Sequence, residues 1–320
     1  MALLEVNDLS VSFTTPRGTV RAVDSVSFSV EPGRCLGIVG ESGSGKSQTM
    51  LGMLGLLPRN GNLSGSARFN GEEMIGMSRA RLDQLRGSQL ALIFQDSITG
   101  LTPHMRIGDQ MAEVLQVHSG LSRAKARTEA SELLEVVQIS EPTRRLGQYP
   151  HELSGGMRQR IMIAMALLCK PALLIADEPT TALDVTVQAT ILRAFAKLKQ
   201  HTETAIILIT HDLGVVAGLC DDVAVMYGGR LVERASAIDL FGNPLHPYTQ
   251  GLLACMPRAD TDPTDDMAVI PGQPPDLGNM PPGCAFQPRC NRAMTACAIT
   301  APIDQPGANR RIACHAVNLA

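Results

Sequence analysis

Residues 40–47 of the chain are Gly40-Glu41-Ser42-Gly43-Ser44-Gly45-Lys46-Ser47. They fit the pattern G-x-x-x-x-G-K-[ST] of a phosphate-binding loop, the P-loop. An apolar run over residues 35–39 predicts a buried strand before the loop, and apolar residues at helical spacing from Ser47 to Leu57 predict a helix after it. Glycines at such a turn let backbone N–H groups surround phosphate oxygens at the start of the helix. The pattern therefore predicts a nucleoside triphosphate site, with Lys46 on the β- and γ-phosphates and the Ser47 hydroxyl on Mg²⁺.

The composition limits the class of protein. The chain has 320 residues, of which 44% are hydrophobic and 18% charged, which suits one large globular domain and a smaller one. A net charge of -3 and the lack of Trp argue against a nucleic-acid partner. The N-terminus shows no secretory signal, and the most apolar segment, residues 161–176, is too short to cross a bilayer. We expect a soluble protein whose cysteines form no structural disulfides.

Apolar patterning predicts an α/β fold. Two antiparallel strands are expected over residues 3–13 and 20–30, and a strand ending in an Asn-Gly turn follows the P-loop helix. Between residues 107 and 146 the pattern becomes helical, which predicts a helical insertion with helices near 107–117, 122–138 and 142–147. Further strands and a closing hairpin are predicted over residues 90–94, 172–178, 204–210 and 223–233.

Polar side chains follow three of these strands at their carboxyl ends, where open α/β sheets bind ligands. Gln95 follows the first strand, and His211 follows the strand over residues 204–210. Asp177 and Glu178 form a pair of carboxylates at the end of the strand predicted over residues 172–178. Asp177 suits the Mg²⁺ shell, and Glu178 is placed to activate a water as general base. His211 is placed to contact a γ-phosphate.

A second helix start carries the residues Ser154, Gly155 and Gly156. Such a start suits an anion, because its N–H groups are unpaired and the helix dipole favours negative charge. Simple capping by Ser154 is the alternative, and for this segment alone it is favoured. A chain with two phosphate-binding helix starts needs a further explanation.

Taken in order, these motifs resemble the nucleotide-binding subunit of ATP-binding-cassette (ABC) transporters. Residues 153–159, Leu-Ser-Gly-Gly-Met-Arg-Gln, resemble the family's signature motif. Gln95 matches the Q-loop, and His211 matches the switch histidine. Residues 182–184, ending in Asp184, match the D-loop. Phe13 lies where the family has its adenine-stacking aromatic residue.

The resemblance covers about residues 1–235 and implies both a fold and a mechanism. The fold is a P-loop NTPase (RecA-like) core with an N-terminal antiparallel β subdomain and a helical subdomain over about residues 97–160. In this family two cassettes pair head to tail, so Ser154 and Gly156 of one act on the ATP held by the other. ATP binding then closes the pair and hydrolysis lets it open. Lys46 and Gln95 complete the implied catalytic set, and Ser47, Gln95 and Asp177 are the implied Mg²⁺ ligands.

A closer resemblance is to the oligopeptide/dipeptide importer subfamily. It rests on the P-loop extended to Gln48, on residues 149–152 (YPHE) and on residues 243–249 (NPLHPYT). The subfamily usually has Asp-Pro where this chain has Asp96-Ser97, and Ser where it has Gly100. Neither departure removes a functional group. The implied division is a nucleotide-binding domain over residues 1–238 and a loop-rich C-terminal domain over residues 239–320.

The subfamily also implies partners. These are a second ABC ATPase, which makes a heterodimer, two transmembrane permease subunits and an extracytoplasmic peptide-binding protein. The chain would then lie at the cytoplasmic face of the inner membrane. Import of nickel or another small solute is an alternative within the same subfamily. A soluble ABC ATPase of translation or DNA repair is disfavoured, because the chain has one cassette, no long heptad run and no basic patch.

Eight cysteines divide into two groups. Cys35, Cys169, Cys220 and Cys255 are isolated in apolar contexts and are expected to be small buried hydrophobes. The tail group lacks the close pairs typical of zinc knuckles, and the subfamily's tail resembles a [4Fe–4S] site. We rank a [4Fe–4S] cluster first, Zn²⁺ second and free or disulfide-bonded thiols third. The tail group consists of Cys284, Cys290, Cys297 and Cys314.

Overall fold

The computed structural model describes residues 2–94, 100–180, 183–256, 269–307 and 310–317. The chain forms two compact units. The first unit consists of residues 1–30, 36–76 and 209–320, and the second of residues 31–35 and 77–208.

The first unit contains an antiparallel sheet of strand order β2-β1-β4-β5. Alternation along β1 places Leu4 and Val6 in the core, and an irregularity between Val6 and Leu9 leaves Leu9 buried as well. Asn70 and Gly71, at φ 50° and 79°, form the tight turn between β4 and β5, as the Asn-Gly pair predicts. The strands are β1 (Leu4–Thr15), β2 (Gly18–Val30), β4 (Gly61–Phe69) and β5 (Glu72–Glu73).

The first unit also contains five neighbouring strands in the order β11-β12-β10-β9-β3. The strand β3 is fully buried and pairs with β9 in parallel, as its continuous apolar run predicts. The predicted closing hairpin is β9 and β10, and β10 also pairs with β12 from the C-terminal region. The strands are β3 (Cys35–Val39), β9 (Asp222–Tyr227), β10 (Arg230–Ser236), β11 (Gln305–Pro306) and β12 (Arg310–Ile312).

The helices of the first unit are short. The P-loop helix ends at Met53, four residues before the predicted end at Leu57. The reason is Gly55, which takes φ 63°, while the N–H of Leu56 donates to the Leu51 carbonyl at 2.8 Å. This is a Schellman-type helix end. The helices are α1 (Lys46–Met53), α8 (Leu213–Leu219), α9 (Ala237–Gly242), α10 (Pro247–Ala254) and α11 (Thr295–Ile299).

The second unit contains the predicted helical insertion and three strands in the order β8-β7-β6. The three helices expected between residues 107 and 147 are present as α3, α4 and α5, with ends within two residues of the prediction. The strands are β6 (Leu90–Ile93), β7 (Leu173–Asp177) and β8 (Ala205–Ile209). The helices are α2 (Arg79–Leu85), α3 (Ile107–Ser119), α4 (Arg123–Val136), α5 (Pro142–Leu146), α6 (Gly155–Leu167) and α7 (Val185–Thr202).

The C-terminal region is anchored to the rest of the first unit by a buried carboxylate. Glu233 of β10 is 1% exposed and accepts the backbone N–H groups of Leu245 and His246 at 2.9 and 3.0 Å. Its carboxylate also lies 3.7 Å from the Arg310 guanidinium at the start of β12. The Pro-rich tail is therefore held by polar contacts as well as by strand pairing. Within the described ranges, no helix combines the length and the apolar character that a bilayer crossing requires.

Candidate functional site

The P-loop follows β3 and opens α1, as predicted. Gly40 has φ 153° and Gly45 has φ 102°, conformations that L side chains rarely adopt. A Cβ at Gly45 would also lie 2.5 Å from the Ala22 carbonyl oxygen, and one at Gly40 would collide with the Met226 carbonyl. Glycine is therefore required at both positions by the fold of the loop itself.

Lys46 lies folded against this loop. Its Nζ donates to the carbonyl oxygens of Gly40 and Glu41 at 2.7 and 2.8 Å, and the side chain is almost fully buried. Ser44 is buried beneath it, with Oγ 3.4 Å from Nζ. Ser42 and Gly43 are exposed, so the outer part of the loop faces solvent. The positive charge of Lys46 is thus held in the concave turn where the P-loop pattern predicts phosphates.

The first turn of α1 offers oxygen atoms of the kind that Mg²⁺ prefers. The Ser47 hydroxyl lies at a half-buried position next to Lys46. The Oε1 atom of Gln48 is buried, and no donor among the described residues reaches it. An unsatisfied buried carbonyl oxygen costs free energy unless a ligand, ion or water pairs it. The residues present therefore fit a Mg²⁺ ion with its water shell at this turn.

Two further predicted residues lie in the first unit. Phe13 is half-buried near the end of β1 and pairs in register with Val20 and Gly61 of the neighbouring strands. His211 is exposed two residues after the end of β8, and the next residue, Asp212, caps α8 by accepting the N–H groups of Gly214 and Val215. The helix start therefore fixes the backbone that presents His211 at the surface of this unit.

The paired carboxylates lie in the second unit. Asp177 is the last residue of β7, as predicted, and is half-buried. Glu178 follows at φ 47°, a left-handed conformation that few glutamates adopt. The chain therefore turns sharply between the two carboxylates. Gln95, the third polar residue predicted at a strand end, lies outside the described residues together with Asp96 and Ser97.

The signature segment opens α6 in the second unit. Ser154 is exposed and caps the helix by accepting the N–H of Met157 at 3.3 Å. A Cβ at Gly155 would meet none of the described residues within 4 Å, and one at Gly156 only the Leu183 side chain at 3.5 Å. Neither glycine has positive φ. Packing among the residues that the structure describes therefore explains neither glycine, which leaves room for a group that approaches from outside.

Asp184 serves as the cap of α7, since its carboxylate accepts the N–H of Val187 at 2.9 Å. The first D-loop residue, Ala182, lies outside the described residues. One contact in this unit was missed by the sequence motifs: the buried amide of Gln159 donates to the Pro179 carbonyl. It joins the signature helix to the segment that follows Glu178. Its place at the end of the signature pattern is the signal that marks it.

Sequence reasoning also missed a set of contacts from the C-terminal region to the P-loop. The Arg289 guanidinium pairs with the Glu41 carboxylate at 2.7 Å, and the Tyr248 hydroxyl accepts the Glu41 N–H at 2.9 Å. A cavity of about 280 Å³ lies between Glu41 and Ser42 of the loop and residues 274–277 of the tail. No local pattern marks these partners, which are more than 200 positions from Glu41 in sequence.

The four tail cysteines are free thiols, and Cys297 and Cys314 are buried. Burial raises the pKa of Cys284, and its three partner thiols raise that pKa further, so the four lie near one another. Among the described residues, however, no group of three or more His, Cys, Asp or Glu side chains is arranged to hold a metal ion. Binding of a [4Fe–4S] cluster or Zn²⁺ would therefore require these four thiols to move from the positions they have here.

A glycine-lined loop with a buried lysine, an oxygen-rich helix start and carboxylates at a strand end define a P-loop nucleotide-binding protein. The family model described as ABC transporter matches residues 23–181, and the model described as oligopeptide/dipeptide transporter, C-terminal region, matches residues 232–297. The chain is 54% identical over 312 residues to the oligopeptide transport ATP-binding protein OppD of Salmonella typhimurium, covering 98% of this chain and 93% of the relative.

Other comparisons agree. A putative peptide import ATP-binding protein of Brucella melitensis is 48% identical over 302 residues, which is 94% of this chain and 91% of the relative. The solved dimeric ATP-binding cassette MJ0796, at 23% identity, has a TM-score of 0.67 and covers 73% of this chain and 98% of its own, which confirms the fold. The chain therefore belongs to the ABC transporter ATP-binding proteins.

Proposed function

We propose that this chain is the ATP-hydrolysing subunit of an ABC importer that takes up oligopeptides and dipeptides. The observation that carries the proposal is identity of 53–54% to peptide-transport ATP-binding proteins along nearly the whole chain. It extends through the C-terminal region, whose matching family model is described by its peptide-transport role. That region favours peptide import over import of nickel or another small solute, and over a soluble ATPase of translation or DNA repair.

The chemistry assigned to the chain is phosphoryl transfer to water, in which positioning and charge supply most of the catalysis. Lys46 offers its ammonium to the β- and γ-phosphates from the base of the loop. Ser47, Gln95 and Asp177 are assigned to supply oxygen atoms to Mg²⁺, which, when bound, would neutralise phosphate charge, and the buried Gln48 carbonyl oxygen can accept from the water shell of that ion. Glu178 accepts a proton from the attacking water, and His211 contacts the γ-phosphate. Gln95 is assigned to orient the water and Mg²⁺, and Phe13 to stack on adenine.

The signature segment is assigned to a second ATPase. Ser154 is exposed at a helix start whose two glycines leave the backbone open, so the N–H groups there can approach an anion bound by another molecule. In a head-to-tail pair each nucleotide then lies between one P-loop and the partner's signature helix, with Asp184 near the junction. We assign a heterodimer, with two transmembrane permeases and an extracytoplasmic peptide-binding protein, at the cytoplasmic face of the membrane.

Reconstitution tests this function. The chain is co-purified with its permeases and partner ATPase, placed in vesicles with the binding protein, and supplied with Mg-ATP and a labelled peptide. Peptide uptake that depends on ATP is expected, and a Lys46→Ala variant should give none because the phosphate-binding charge is missing. If nickel and not peptide stimulates ATP hydrolysis, the substrate assignment is wrong.

For the tail we propose a [4Fe–4S] cluster held by Cys284, Cys290, Cys297 and Cys314, with Zn²⁺ as the alternative. Four free thiols that influence one another support it, because a Pro-rich segment gains stability from a metal clip. Anaerobically purified chain should contain about four irons and absorb broadly near 400 nm. A Cys297→Ser variant should lose both. One zinc per chain without iron would favour the alternative, and neither metal would refute both.

A further inference from the structure

A carboxylate is built into the phosphate-binding loop. Glu41 is the second residue of the P-loop, and its side chain is 24% exposed. The backbone carbonyl oxygens of Gly40 and Glu41 accept hydrogen bonds from the ammonium group of Lys46, the residue assigned to the phosphates. A negative charge at this place opposes the uptake of a triphosphate, because like charges at short range repel strongly in a partly buried site. The loop therefore requires a compensating cation.

Arg289 of the C-terminal region supplies that cation. Its Nη1 donates to Glu41 Oε2 at 2.7 Å and its Nη2 to Oε1 at 3.0 Å, which is the two-pronged geometry of the strongest ion pairs. The Arg289 side chain is 5% exposed, so water screens the pair little. Nε also donates to the Pro271 carbonyl at 2.8 Å, which fixes the plane of the guanidinium.

The same region holds the backbone of the loop. The N–H of Glu41 donates to the hydroxyl of Tyr248, a fully buried residue of α10. The Tyr248 ring packs against Tyr227 at 4.5 Å and Phe286 at 5.3 Å between centroids. Since Tyr227 also accepts a hydrogen bond from Arg289 at 3.3 Å, one aromatic cluster positions both contacts to Glu41.

We propose that Arg289 is a positioning residue for the triphosphate: by neutralising and fixing Glu41, it sets the charge and shape of the P-loop so that Lys46 is available to phosphates. The proposal rests on the ATP-binding function assigned above. It gives the C-terminal region a direct part in nucleotide uptake, transmitted from Arg289 through Glu41 to Lys46.

The first experiment measures the affinity of the full chain for Mg-ATP, Mg-ADP and adenosine in the variant Arg289→Ala. Exposure of the Glu41 charge should weaken ATP binding about tenfold, the size of one near-surface charge interaction. ADP should be affected less and adenosine not at all, because the repulsion acts on phosphate charge. Arg289→Gln, which keeps donors and removes the charge, is measured in parallel and should behave alike.

The decisive arm is rescue by a second substitution. In the double variant Glu41→Gln with Arg289→Ala, the repelling carboxylate is gone, so ATP affinity should return to within about threefold of the wild type. In the assembled transporter the single variant should raise KM for ATP and leave kcat at saturating ATP unchanged. A purely structural role for Arg289 predicts instead that removing Glu41 as well gives no recovery.

Arg310→Ala is the matched control. Arg310 anchors the same C-terminal region, donating to the carbonyl groups of Asp239 and Asn243 at 2.8 Å, and none of these partners belongs to the P-loop. It should lower the melting temperature without the phosphate-dependent loss of affinity. Unchanged ATP affinity in Arg289→Ala, or equal losses for ATP and adenosine, would overturn the proposal. Failure of the wild-type chain to bind ATP would instead refute the assigned function.

Discussion

Glu178 adopts a backbone conformation that a glutamate takes only at a cost. At φ 47° it lies in the left-handed region, which disfavours side chains with a Cβ by about 1 kcal/mol or more. Folded proteins keep such residues where the surrounding structure demands them, and these places are often functional. The position directly after Asp177, at the end of β7, fits a carboxylate that must act on water while its neighbour serves a metal ion.

Replacement of Glu178 by Gln should separate binding from turnover. The amide keeps the size of the side chain but cannot accept a proton, so the hydrolysis rate in the assembled transporter should fall about 10²- to 10⁴-fold. Affinity for Mg-ATP should stay within a factor of about three, because the P-loop is untouched. The two quantities are measured by phosphate release and by equilibrium binding.

Glu203→Gln is the matched control for that variant. Glu203 is also a glutamate with positive φ, 53°, and it is exposed at the end of α7. It should hydrolyse ATP at the wild-type rate. Equal turnover in Glu178→Gln and the wild type would show that another group is the base.

Among the elements, α10 begins at a histidine that cannot easily become charged. His246 caps this helix, its Nδ1 accepting the N–H of Tyr248 at 3.0 Å, and it also bonds to the backbone of Ala313. Burial lowers the pKa of His246 from 6.5 to about 4. Between these values the unfolded chain takes up a proton and the folded chain does not. The stabilisation that neutral His246 contributes is therefore fully present above pH 6.5 and is lost as the pH falls toward 4.

An Asn at position 246 should remove this pH response. Going from pH 7.5 to pH 5, the wild type should lose about 2 kcal/mol of unfolding free energy through His246. His246→Asn keeps a side-chain oxygen for the cap and has no titrating group, so its loss should be smaller by that amount. Urea unfolding at both pH values measures the difference. His118→Asn, at an exposed histidine of α3, should keep the wild-type response, and an unchanged loss in His246→Asn would contradict the assignment.

On the scale of the whole molecule, the first unit is assembled from three separate stretches of chain. The P-loop comes from the second stretch, while Arg289, Tyr248 and β12 come from the third. The second unit carries the carboxylates and the signature helix. Under the assigned function, a single chain cannot complete ATP hydrolysis or transport by itself. The reason is that its exposed signature segment acts on the nucleotide bound by a partner.

A bulky charged side chain at position 154 should show that Ser154 acts on the partner's nucleotide and not on that of its own chain. Ser154→Arg should leave the affinity of the isolated chain for Mg-ATP unchanged, since its own P-loop is intact. In the transporter it should lower hydrolysis about 100-fold at the partner's nucleotide, where a helix-start donor is lost. Ser122→Arg is the matched control, because Ser122 is likewise an exposed cap, of α4. Loss of ATP affinity in isolated Ser154→Arg chain would refute action in trans.

Local patterns predicted the elements that carry the site, and long-range contacts escaped them. The strand, glycine turn and helix around Lys46 depend on neighbours within about a dozen positions, so spacing alone reveals them. The early end of α1 was also readable, since Gly55 is a typical helix terminator. The partners of Glu41 were not, because Arg289 lies 248 positions away and no periodicity distinguishes it from other arginines. Contacts between residues close in sequence could therefore be predicted. The contacts from the C-terminal region to the P-loop could be found only in the folded structure.

The pairing of β12 with β10 means that the first unit can be completed only late in biosynthesis. Ribosomes add about 5 to 20 residues per second, so on the order of 10 to 50 s separate the emergence of residue 76 from that of residue 312. Throughout this interval the nascent unit lacks its last strand. Once Ser236 has been synthesised, the edge of β10 that pairs with β12 stays without its partner until β12 emerges. Such an edge invites pairing with other chains. Translation rate and chaperone supply should therefore govern the yield of active protein more than the stability of the finished fold.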